Sequence, residues 1–289
     1  MKISILALIV LALATAVSAA PLIKVSAVQM RSDPQLGNNV KKICGYIKTL
    51  ASQGTQILVF PECALTSYDV AIIKKASQAE VEAAIGSIAE ACKASKVYAI
   101  VGAPSFRPDG KLFNSAVVIS PDGRIIERYH KVHLVEDWAQ PGDHLALFDI
   151  AGTKGTIIIC HDERYPELVR LPVIAGARII FYISSESGVK EESKIDPYRA
   201  QIQARAEENC VWVVHSNCPA NDDLSGSHGQ SRIIKPDGNI VREAAMFEEE
   251  VVTADLDVAR ANGAYARNSL NASFLKAFWD AGLKLFENK

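Results

Sequence analysis

The sequence lacks an excess of charge of either sign and lacks, after its first residues, any long apolar run. Its 31 lysines and arginines nearly balance 33 aspartates and glutamates, which leaves a net charge of −2. Binding to a phosphate backbone needs a clustered positive field, so this balance argues against a nucleic-acid partner. A membrane span needs about 18 to 20 mostly apolar residues in succession, and no stretch after residue 20 supplies them.

Cysteine is scarce and irregularly spaced, which argues against a disulfide-built scaffold. The chain has 289 residues, long enough to bury an apolar core without covalent cross-links. One or two disulfides remain open, and the sequence alone does not pair the cysteines. The six cysteines are Cys44, Cys63, Cys92, Cys160, Cys210 and Cys218.

Residues 1–19 differ in composition from the rest of the chain. A short positive start is followed by an apolar stretch over residues 3–16 and by a small-residue triplet that ends at Ala19. This order is typical of a secretory signal peptide. We therefore expect cleavage after Ala19 and a secreted or periplasmic mature chain, residues 20–289, with no stable membrane anchor. The alternative is an uncleaved anchor, which the shortness of the apolar stretch disfavours.

Strand-like and helix-like segments alternate from Leu22 onward. Residues 23–29 alternate as a strand does, and apolar residues recur at helical spacing over residues 38–53. Pro-Asp-Gly turns at 121–123 and 236–238 lie between β-rich runs and predict hairpins. Strands alternating with helices predict an α/β architecture, and the hairpins add antiparallel pairs. No linker or repeat interrupts the mature chain, so we expect a single domain.

Three predicted strands end in side chains that can carry chemistry. Glu62, Lys131 and Cys160 each follow a β-rich run, and active sites of α/β folds collect at the carboxyl ends of strands. Each residue also has an ordinary structural interpretation. A free cysteine is usually a buried apolar residue, a glutamate after a strand is often a cap or surface charge, and a loop lysine is usually solvated.

Taken together, the three residues form a complete set for acyl transfer. A thiol is mostly protonated at neutral pH because the pKa of free cysteine is about 8.5. Glu62 can accept that proton, Cys160 can attack an amide or nitrile carbon, and Lys131 with backbone N–H groups can stabilise the negative charge that develops. A helix that begins after Cys160 is also expected to lower the pKa of the thiol.

Five segments, in order along the chain, carry the motifs around these residues. They are ILVFPECALTSYD (57–69), RYHKVHL (128–134), IIICHDERYPELVRLPVIAGA (157–177), ARAEENCVWVVHSN (204–217) and GSHGQSRIIKPDGNIV (226–241). Together they resemble the nitrilase superfamily of carbon–nitrogen hydrolases, and the resemblance covers nearly all of residues 22–260. It implies a four-layer α-β-β-α sandwich with two mixed sheets, which self-associates as a homodimer or larger homo-oligomer.

The resemblance also implies a role for each catalytic candidate. Glu62 would be the general base, Cys160 the nucleophile and Lys131 the stabiliser of the tetrahedral intermediate, with the backbone N–H of His161 in the oxyanion site. Attack would release ammonia or an amine and leave a thioester on Cys160, which water then hydrolyses. No cofactor and no metal is implied, and the histidines around Lys131 fall short of the three or four ligands of a zinc site.

A second glutamate is expected between the lysine and the cysteine. Many members of the superfamily carry one near a Pro-Gly-Asp turn, which here spans 141–143. Gln140 precedes that turn, where several carbamoyl-cleaving relatives have the glutamate. Glu136 is our candidate for the role, although its spacing from Lys131 is shorter than expected. The alternative is that Glu136 is a solvated loop acid.

The substrate pocket is expected to involve four further residues. Relatives that act on carbamoyl amino acids carry two arginines after the cysteine, where this chain has Glu163 and Arg164. Arg164 either braces the loop or touches substrate, and Glu163 would repel a carboxylate, which favours a neutral or cationic substrate. Ser185 and Glu186 lie in a segment that lines the pocket in the superfamily. A surface position is the alternative for Glu186.

The function expected from these residues is an exported thiol hydrolase that cleaves an amide or N-carbamoyl bond of a small molecule. Nitrile hydrolysis ranks lower, because the cysteine loop lacks the Cys-Trp-Glu pattern associated with nitrilases. Acyl transfer by the same residues also ranks lower, because the acyltransferase branch has extra membrane spans. A catalytically silent relative that binds a ligand is the remaining alternative. The presence of Glu62, Lys131 and Cys160 together argues against it.

Overall fold

The computed structural model describes residues 22–271, 277, 280 and 281, so the expected signal peptide at 1–19 lies outside the described residues. In chain order the strands are β1 (Ile23–Gln29), β2 (Ile57–Val59), β3 (Tyr98–Phe106), β4 (Leu112–Ile119), β5 (Ile125–His130), β6 (Phe148–Ile150), β7 (Thr153–Ile159), β8 (Ile179–Ile183), β9 (Trp212–Ser216), β10 (Arg232–Ile234), β11 (Ile240–Glu243) and β12 (Glu250–Leu256). The helices are α1 (Leu36–Ser52), α2 (Val70–Lys75), α3 (Gln78–Ser95), α4 (Glu167–Ile174), α5 (Ile195–Glu207) and α6 (Ala264–Asn271). Within these residues no helix combines the length and the apolar character needed to cross a bilayer.

The described strands pair into two mixed sheets with six strands each. The first sheet has the order β12-β1-β2-β3-β4-β5, and the second has the order β11-β10-β9-β8-β7-β6. In the first sheet β1, β2 and β3 run parallel, and in the second β7, β8 and β9 run parallel. The remaining pairs are antiparallel, including the two predicted hairpins β4–β5 and β10–β11. Helices connect the parallel strands, as such crossovers require.

The two sheets face each other across one apolar core, and helices cover their outer faces. In β2, Ile57 and Val59 point into the core between the sheets, while Leu58 points toward α1 and α3. In β8, Phe181 points into the same core and Tyr182 points toward α4 and α5. This period of two follows from the pleat of a strand. The predicted four-layer α-β-β-α sandwich is thereby confirmed.

Two short elements were not expected from the sequence. Helix α2 has six residues and strand β6 has three, which are too few to show a clear apolar period. The helix begins where the Asp69 carboxylate accepts hydrogen bonds from the N–H groups of Ala71 and Ile72. Such a cap satisfies donors that a helix start leaves free.

The loop after β2 approaches β3 so closely that only glycine fits at position 102. A Cβ atom on Gly102 would lie 2.2 Å from the carbonyl oxygen of Pro61 and 2.7 Å from Cα of Glu62. The Gly102 carbonyl in turn accepts a hydrogen bond from the N–H of Leu65 at 3.0 Å. The missing side chain of Gly102 therefore sets the position of the backbone that carries Glu62.

We predict that Gly102→Ala lowers the free energy of unfolding by roughly 1–3 kcal/mol, because the added methyl overlaps backbone atoms. Gly86→Ala is the matched control, since Gly86 is an exposed residue of α3 with no atom within 4 Å of an added Cβ. Alanine is the better helix former, so the control gains up to about 1 kcal/mol. Urea unfolding of both variants tests this, and equal midpoints would contradict the close approach at Gly102.

Candidate active site

The nucleophile candidate lies at a strained turn. Cys160 follows β7 and begins a short 3-10 helix, Cys160–Arg164. Its φ angle is 45°, in the left-handed region that residues with a side chain rarely adopt. The Tyr182 hydroxyl donates to the Cys160 carbonyl oxygen at 3.3 Å and supports this conformation. The turn leaves Cys160 partly exposed, whereas the strand residues before it are buried.

The pKa of the Cys160 thiol lies well above its usual value, so the expectation that a helix start lowers it was wrong. Burial makes the largest contribution and the Glu62 carboxylate adds to it, while Lys131 acts in the opposite direction. Glu186 and Glu163 raise this pKa further. The element that begins at Cys160 is a short 3-10 helix, and it does not offset the rise in pKa that burial and these carboxylates cause. The resting group is a thiol, so its reaction needs a base nearby.

Lys131 lies between two carboxylates. Its Nζ atom donates to Glu62 Oε1 at 3.0 Å and to Glu136 Oε1 at 2.7 Å. The Asn114 amide donates to the same two oxygens, at 2.7 Å and 2.6 Å. The Tyr68 hydroxyl also donates to Glu136 Oε1, at 2.8 Å. The side chains of Lys131, Glu62 and Glu136 are fully buried, and Glu136 is thus placed beside Lys131 rather than in a solvated loop.

The pKa values of the two glutamates shift in opposite directions. Burial raises the pKa of Glu62, and Glu136 adds to the rise while Lys131 opposes it. Burial also acts to raise the pKa of Glu136, but Lys131 and the Tyr68 hydroxyl outweigh it and lower that pKa. For Lys131, burial acts against the charge, but Glu62, Cys160 and Glu136 raise its pKa above the usual value. Glu62 is therefore the more basic carboxylate, and Glu136 stays ionised beside the ammonium.

The second oxygen of Glu62 is held by a different sheet. The backbone N–H of Ser185, two residues beyond β8, donates to Glu62 Oε2 at 2.8 Å. Glu62 itself follows β2 of the first sheet, and Asn114 lies on β4 of that sheet. The carboxylate thus bridges the two sheets, and its orientation depends on how they pack.

Asp162 joins the cysteine turn to the lysine loop, a role that the sequence analysis missed. Its buried carboxylate accepts hydrogen bonds from the N–H of Val132 at 3.2 Å, of His133 at 2.8 Å and of Ile159 at 3.2 Å. The Tyr129 hydroxyl donates to it at 2.9 Å. Burial raises the pKa of Asp162 to about 6, although these hydrogen bonds oppose the rise. The available signal was the position of Asp162 within HDERYPE, two residues after Cys160.

A cavity of about 610 Å³ adjoins this centre. Tyr68 and Ser185 line this cavity. The Tyr68 hydroxyl also donates to Glu136, and the Ser185 N–H donates to Glu62. A volume of this size lies within the range of small-molecule sites. The lining residues are Arg31, Ser32, Ser67, Tyr68, Asp69, Val70, Ser185, Ser187, Glu191, Cys218, Pro219, Asn221, Gly226 and Ser227.

Of the four expected pocket residues, the structure places Ser185 on the cavity wall and not the other three. Glu163 is only 1% exposed. Arg164 donates to the Tyr198 hydroxyl at 3.3 Å and lies 3.7 Å from a carboxylate oxygen of Glu192. Arg164 thus braces the segment that carries Glu192 and Tyr198. Glu163 does not line the cavity, so the structure does not support its expected repulsion of a substrate carboxylate there.

Glu186 is the centre of a separate buried hydrogen-bond network. It is 1% exposed, so the alternative of a surface acid is excluded. The Tyr182 hydroxyl donates to Glu186 Oε1 at 2.7 Å, and His228 Nε2 lies 2.7 Å from Oε2. Because Tyr182 also donates to the Cys160 carbonyl, this network supports the cysteine turn from behind. Sequence reasoning missed Tyr182 and His228, because the contacts of Tyr182 with Cys160 and of His228 with Glu186 join residues that are distant in the chain.

The remaining histidines and cysteines have structural surroundings. His130 shares a hydrogen bond of 2.7 Å with the Ser115 hydroxyl, and His133 stacks on Tyr165. In the part of the chain that the structure describes, no three His, Cys, Asp or Glu residues form a group that would hold a metal ion. All six cysteines are free, so the disulfides left open by the sequence are not formed.

Most of the chain matches one known protein family. The model of the carbon-nitrogen hydrolase family matches residues 24–265. This chain belongs to the carbon-nitrogen hydrolase family. It is therefore a hydrolase of C–N bonds other than peptide bonds, as expected from its resemblance to the nitrilase superfamily.

Curated relatives of this hydrolase include two amidases. The omega-amidase NIT2-B of Xenopus laevis is 26% identical over 249 residues, which cover 81% of this chain and 88% of that protein. The 2-oxoglutaramate amidase of Bacillus subtilis is 28% identical over 225 residues, which cover 76% of this chain and 85% of that protein. The family is thus shared over most of both lengths.

Solved structures share the fold of this hydrolase. Saccharomyces cerevisiae Nit3, a member of the nitrilase superfamily, superposes with a TM-score of 0.78 at 25% identity, over 88% of this chain and 96% of that one. A mutant of the Nesterenkonia AN1 amidase superposes with a TM-score of 0.77 at 20% identity, over 90% of this chain and 97% of that one. The second similarity supports the fold alone.

We predict that Glu136→Gln moves the acid limb of the pH profile of kcat/KM to lower pH. The Glu136 charge raises the pKa of Glu62, so its removal lowers that pKa. The Glu62 carboxylate then stays ionised at lower pH. The measurement is ammonia release from an amide across pH 3 to 9, and exposed Glu90→Gln is the control. A limb that stays in place or moves to higher pH would show that the two carboxylates do not interact in this way.

Proposed function

We propose that this protein is an exported amidase that hydrolyses an amide or N-carbamoyl bond of a small molecule through a thioester on Cys160. One observation carries the proposal. Buried Lys131 holds Glu62 at 3.0 Å and Glu136 at 2.7 Å, next to a partly exposed thiol and a cavity of substrate size. The amidase names of the relatives support the choice of an amide substrate.

The first step forms the thioester. The raised pKa of Glu62 fits it to accept the Cys160 proton as the sulfur attacks the substrate carbon. Negative charge develops on the substrate oxygen, where the Lys131 ammonium and the backbone N–H of His161 stabilise it. Protonated Glu62 then gives its proton to the nitrogen that leaves. Ammonia or an amine departs, and the acyl group stays on the sulfur.

The second step releases the acid. Glu62, again ionised, accepts a proton from water, and the resulting hydroxide attacks the thioester carbon. Collapse of the intermediate breaks the C–S bond, returns the proton to Cys160 and frees the carboxylic acid product. Glu136 takes no proton in this scheme. Its lowered pKa keeps it ionised, so its charge holds Lys131 in place throughout.

The alternatives use the same residues in other ways. Nitrile hydrolysis and acyl transfer would also pass through Cys160, but the relatives' names favour amides. A silent ligand-binding relative has no use for a buried ammonium between two carboxylates, since the burial of these charges costs free energy that only a function would offset. Export rests on the composition of residues 1–19 alone, and self-association stays a prediction.

We predict that intact-protein mass spectrometry detects an acyl adduct on the wild type when a small amide is supplied and ammonia is released. Cys160→Ala loses both, because the sulfur is the acyl carrier. Cys44→Ser, which changes a free thiol on α1, keeps both. Ammonia release by Cys160→Ala would refute the thioester. No adduct and no ammonia from a panel of amides, carbamoyl compounds and nitriles would refute the amidase and favour the binding relative.

We predict that a bacterial host with a secretion pathway exports the full chain and cleaves it after Ala19, because residues 1–19 have the composition of a signal peptide. The measurement is the intact mass of the protein from the periplasm or medium, which then starts at Ala20. The control replaces the apolar stretch 3–16 with a polar sequence, which should abolish export. Full-length protein retained in the cytoplasm would contradict the proposed export.

A further inference from the structure

Two parallel strands of the second sheet, β8 and β9, end side by side next to the Glu62 carboxylate. The last residues of these strands are register partners. Asn217 follows β9 directly, and its side chain is hydrogen-bonded to the segment 184–186, which follows β8. This segment carries Ser185, whose backbone N–H donates to Glu62 Oε2 at 2.8 Å. Asn217 thus contacts the segment that holds the second oxygen of Glu62.

The side-chain oxygen of Asn217 holds this segment on both sides of Ser185. Its Oδ1 atom accepts a hydrogen bond from the Ser184 hydroxyl at 3.0 Å and from the backbone N–H of Glu186 at 3.2 Å. These donors belong to the residues immediately before and after Ser185, so one atom fixes the peptide groups between them. The direction of the Ser185 N–H toward Glu62 therefore depends on Asn217.

An asparagine suits this position because its short side chain offers an acceptor and a donor together. The Asn217 Nδ2 atom donates to the carbonyl oxygen of Gly229 at 2.8 Å and to Glu186 Oε2 at 3.3 Å. A backbone N–H only donates and a backbone carbonyl only accepts, so the backbones of Glu186 and Gly229 determine which way round the amide lies. Asn217 is fully buried, so bulk water does not compete for these hydrogen bonds.

Asn217 lies behind the cavity wall rather than in it. The hydroxyl of Ser227, which lines the cavity, donates to the same Oδ1 atom at 2.9 Å. Asn217 is not among the lining residues, and its hydrogen bonds within the described part of the chain do not include one to Glu62. Any action of Asn217 on the Glu62 carboxylate must therefore pass through Ser185.

We propose that Asn217 is a positioning residue for the general base, and that it holds the segment 184–186 so that the Ser185 N–H orients the Glu62 carboxylate for transfer of the Cys160 proton. This inference rests on the proposed amidase function, in which Glu62 accepts that proton. A hydrogen bond from an N–H group favours the ionised form of a carboxylate. Loss of this donor therefore leaves Glu62 less well oriented and raises its pKa.

The test compares Asn217→Ala with Asn209→Ala. Asn209 is a matched control, because it is equally buried and its amide donates to the Arg205 carbonyl oxygen at 2.9 Å, away from this segment. The measurements are ammonia release from butyramide and alkylation of Cys160 by iodoacetamide, both across pH 3 to 9. In Asn217→Ala we expect kcat/KM to fall about ten- to a hundredfold, mainly through kcat, and its acid limb to move to higher pH. Asn209→Ala keeps the wild-type limb.

Two further variants separate an action on Glu62 from an effect on folding or on the cysteine turn. Ser184→Ala removes one of the two donors that tie the segment to Asn217, so it should move the limb in the same direction by a smaller amount. Tyr182→Phe removes the hydroxyl that donates to the Cys160 carbonyl oxygen, so it should lower kcat without moving the limb. The titratable groups that interact with Glu62 in the described part of the chain remain in all these variants, and they are Lys131, Glu136, Tyr68, Cys63, Cys160 and Cys218.

The alkylation measurement needs no substrate, so it tests Asn217 even if butyramide is not turned over. An acid limb that stays at the wild-type pH in Asn217→Ala, or that Asn209→Ala moves equally, would overturn the role of Asn217 and leave the amidase standing. A wild type that releases no ammonia from butyramide, and whose Cys160 is alkylated without an acid limb, would instead overturn Glu62 as the base and with it the proposed function.

Discussion

The structure depends on one buried ammonium held between two carboxylates. A buried charge is tolerated only where opposite charges and hydrogen bonds surround it, and Lys131 has both in Glu62 and Glu136. The group carries one positive and two negative charges, and Asn114 donates to both acids. These four side chains lie on strands of the first sheet or in the loops that follow them, and the N–H of Ser185, beyond β8 of the second sheet, holds Glu62, so the site depends on how the two sheets are placed relative to each other. The same arrangement shifts the pKa values of the two glutamates in opposite directions, and it leaves Glu62 as the more basic of the two.

The proposed nucleophile, Cys160, is held by a second set of contacts. Cys160 has a left-handed backbone conformation that its own side chain disfavours, so neighbouring groups must maintain it. Asp162 ties this turn to the backbone beyond Lys131, and the Tyr182 hydroxyl donates to the Cys160 carbonyl oxygen. The strain is local, and the support comes from a network of buried hydrogen bonds. Displacement of either support would move the sulfur relative to the Glu62 carboxylate and the Lys131 ammonium.

Much of the fold and the centre of the site were predictable from local sequence. Strands and helices with a clear apolar period were found, as were the hairpins at the Pro-Asp-Gly turns, because these signals depend on neighbouring residues. Glu62, Lys131 and Cys160 stood out because each follows a strand. Helix α2 and strand β6 were missed because they are too short to show a period. The helix after Cys160 was wrongly expected to lower the pKa of its thiol, because Glu62 and Glu186, which raise that pKa, come from other segments of the chain.

The sequence by itself determined the chemistry available to this protein: a thiol, a carboxylate and an ammonium, each at the end of a strand in an α/β chain. The tertiary structure alone decided which residues meet. It brought Glu136 to Lys131, removed Glu163 and Arg164 from the cavity wall, and placed Arg31 there. The physical reason is that burial and charge pairing depend on the packing of two sheets against each other. Residues that are far apart in the chain come into contact between the sheets, and a local sequence pattern does not show which of them will do so.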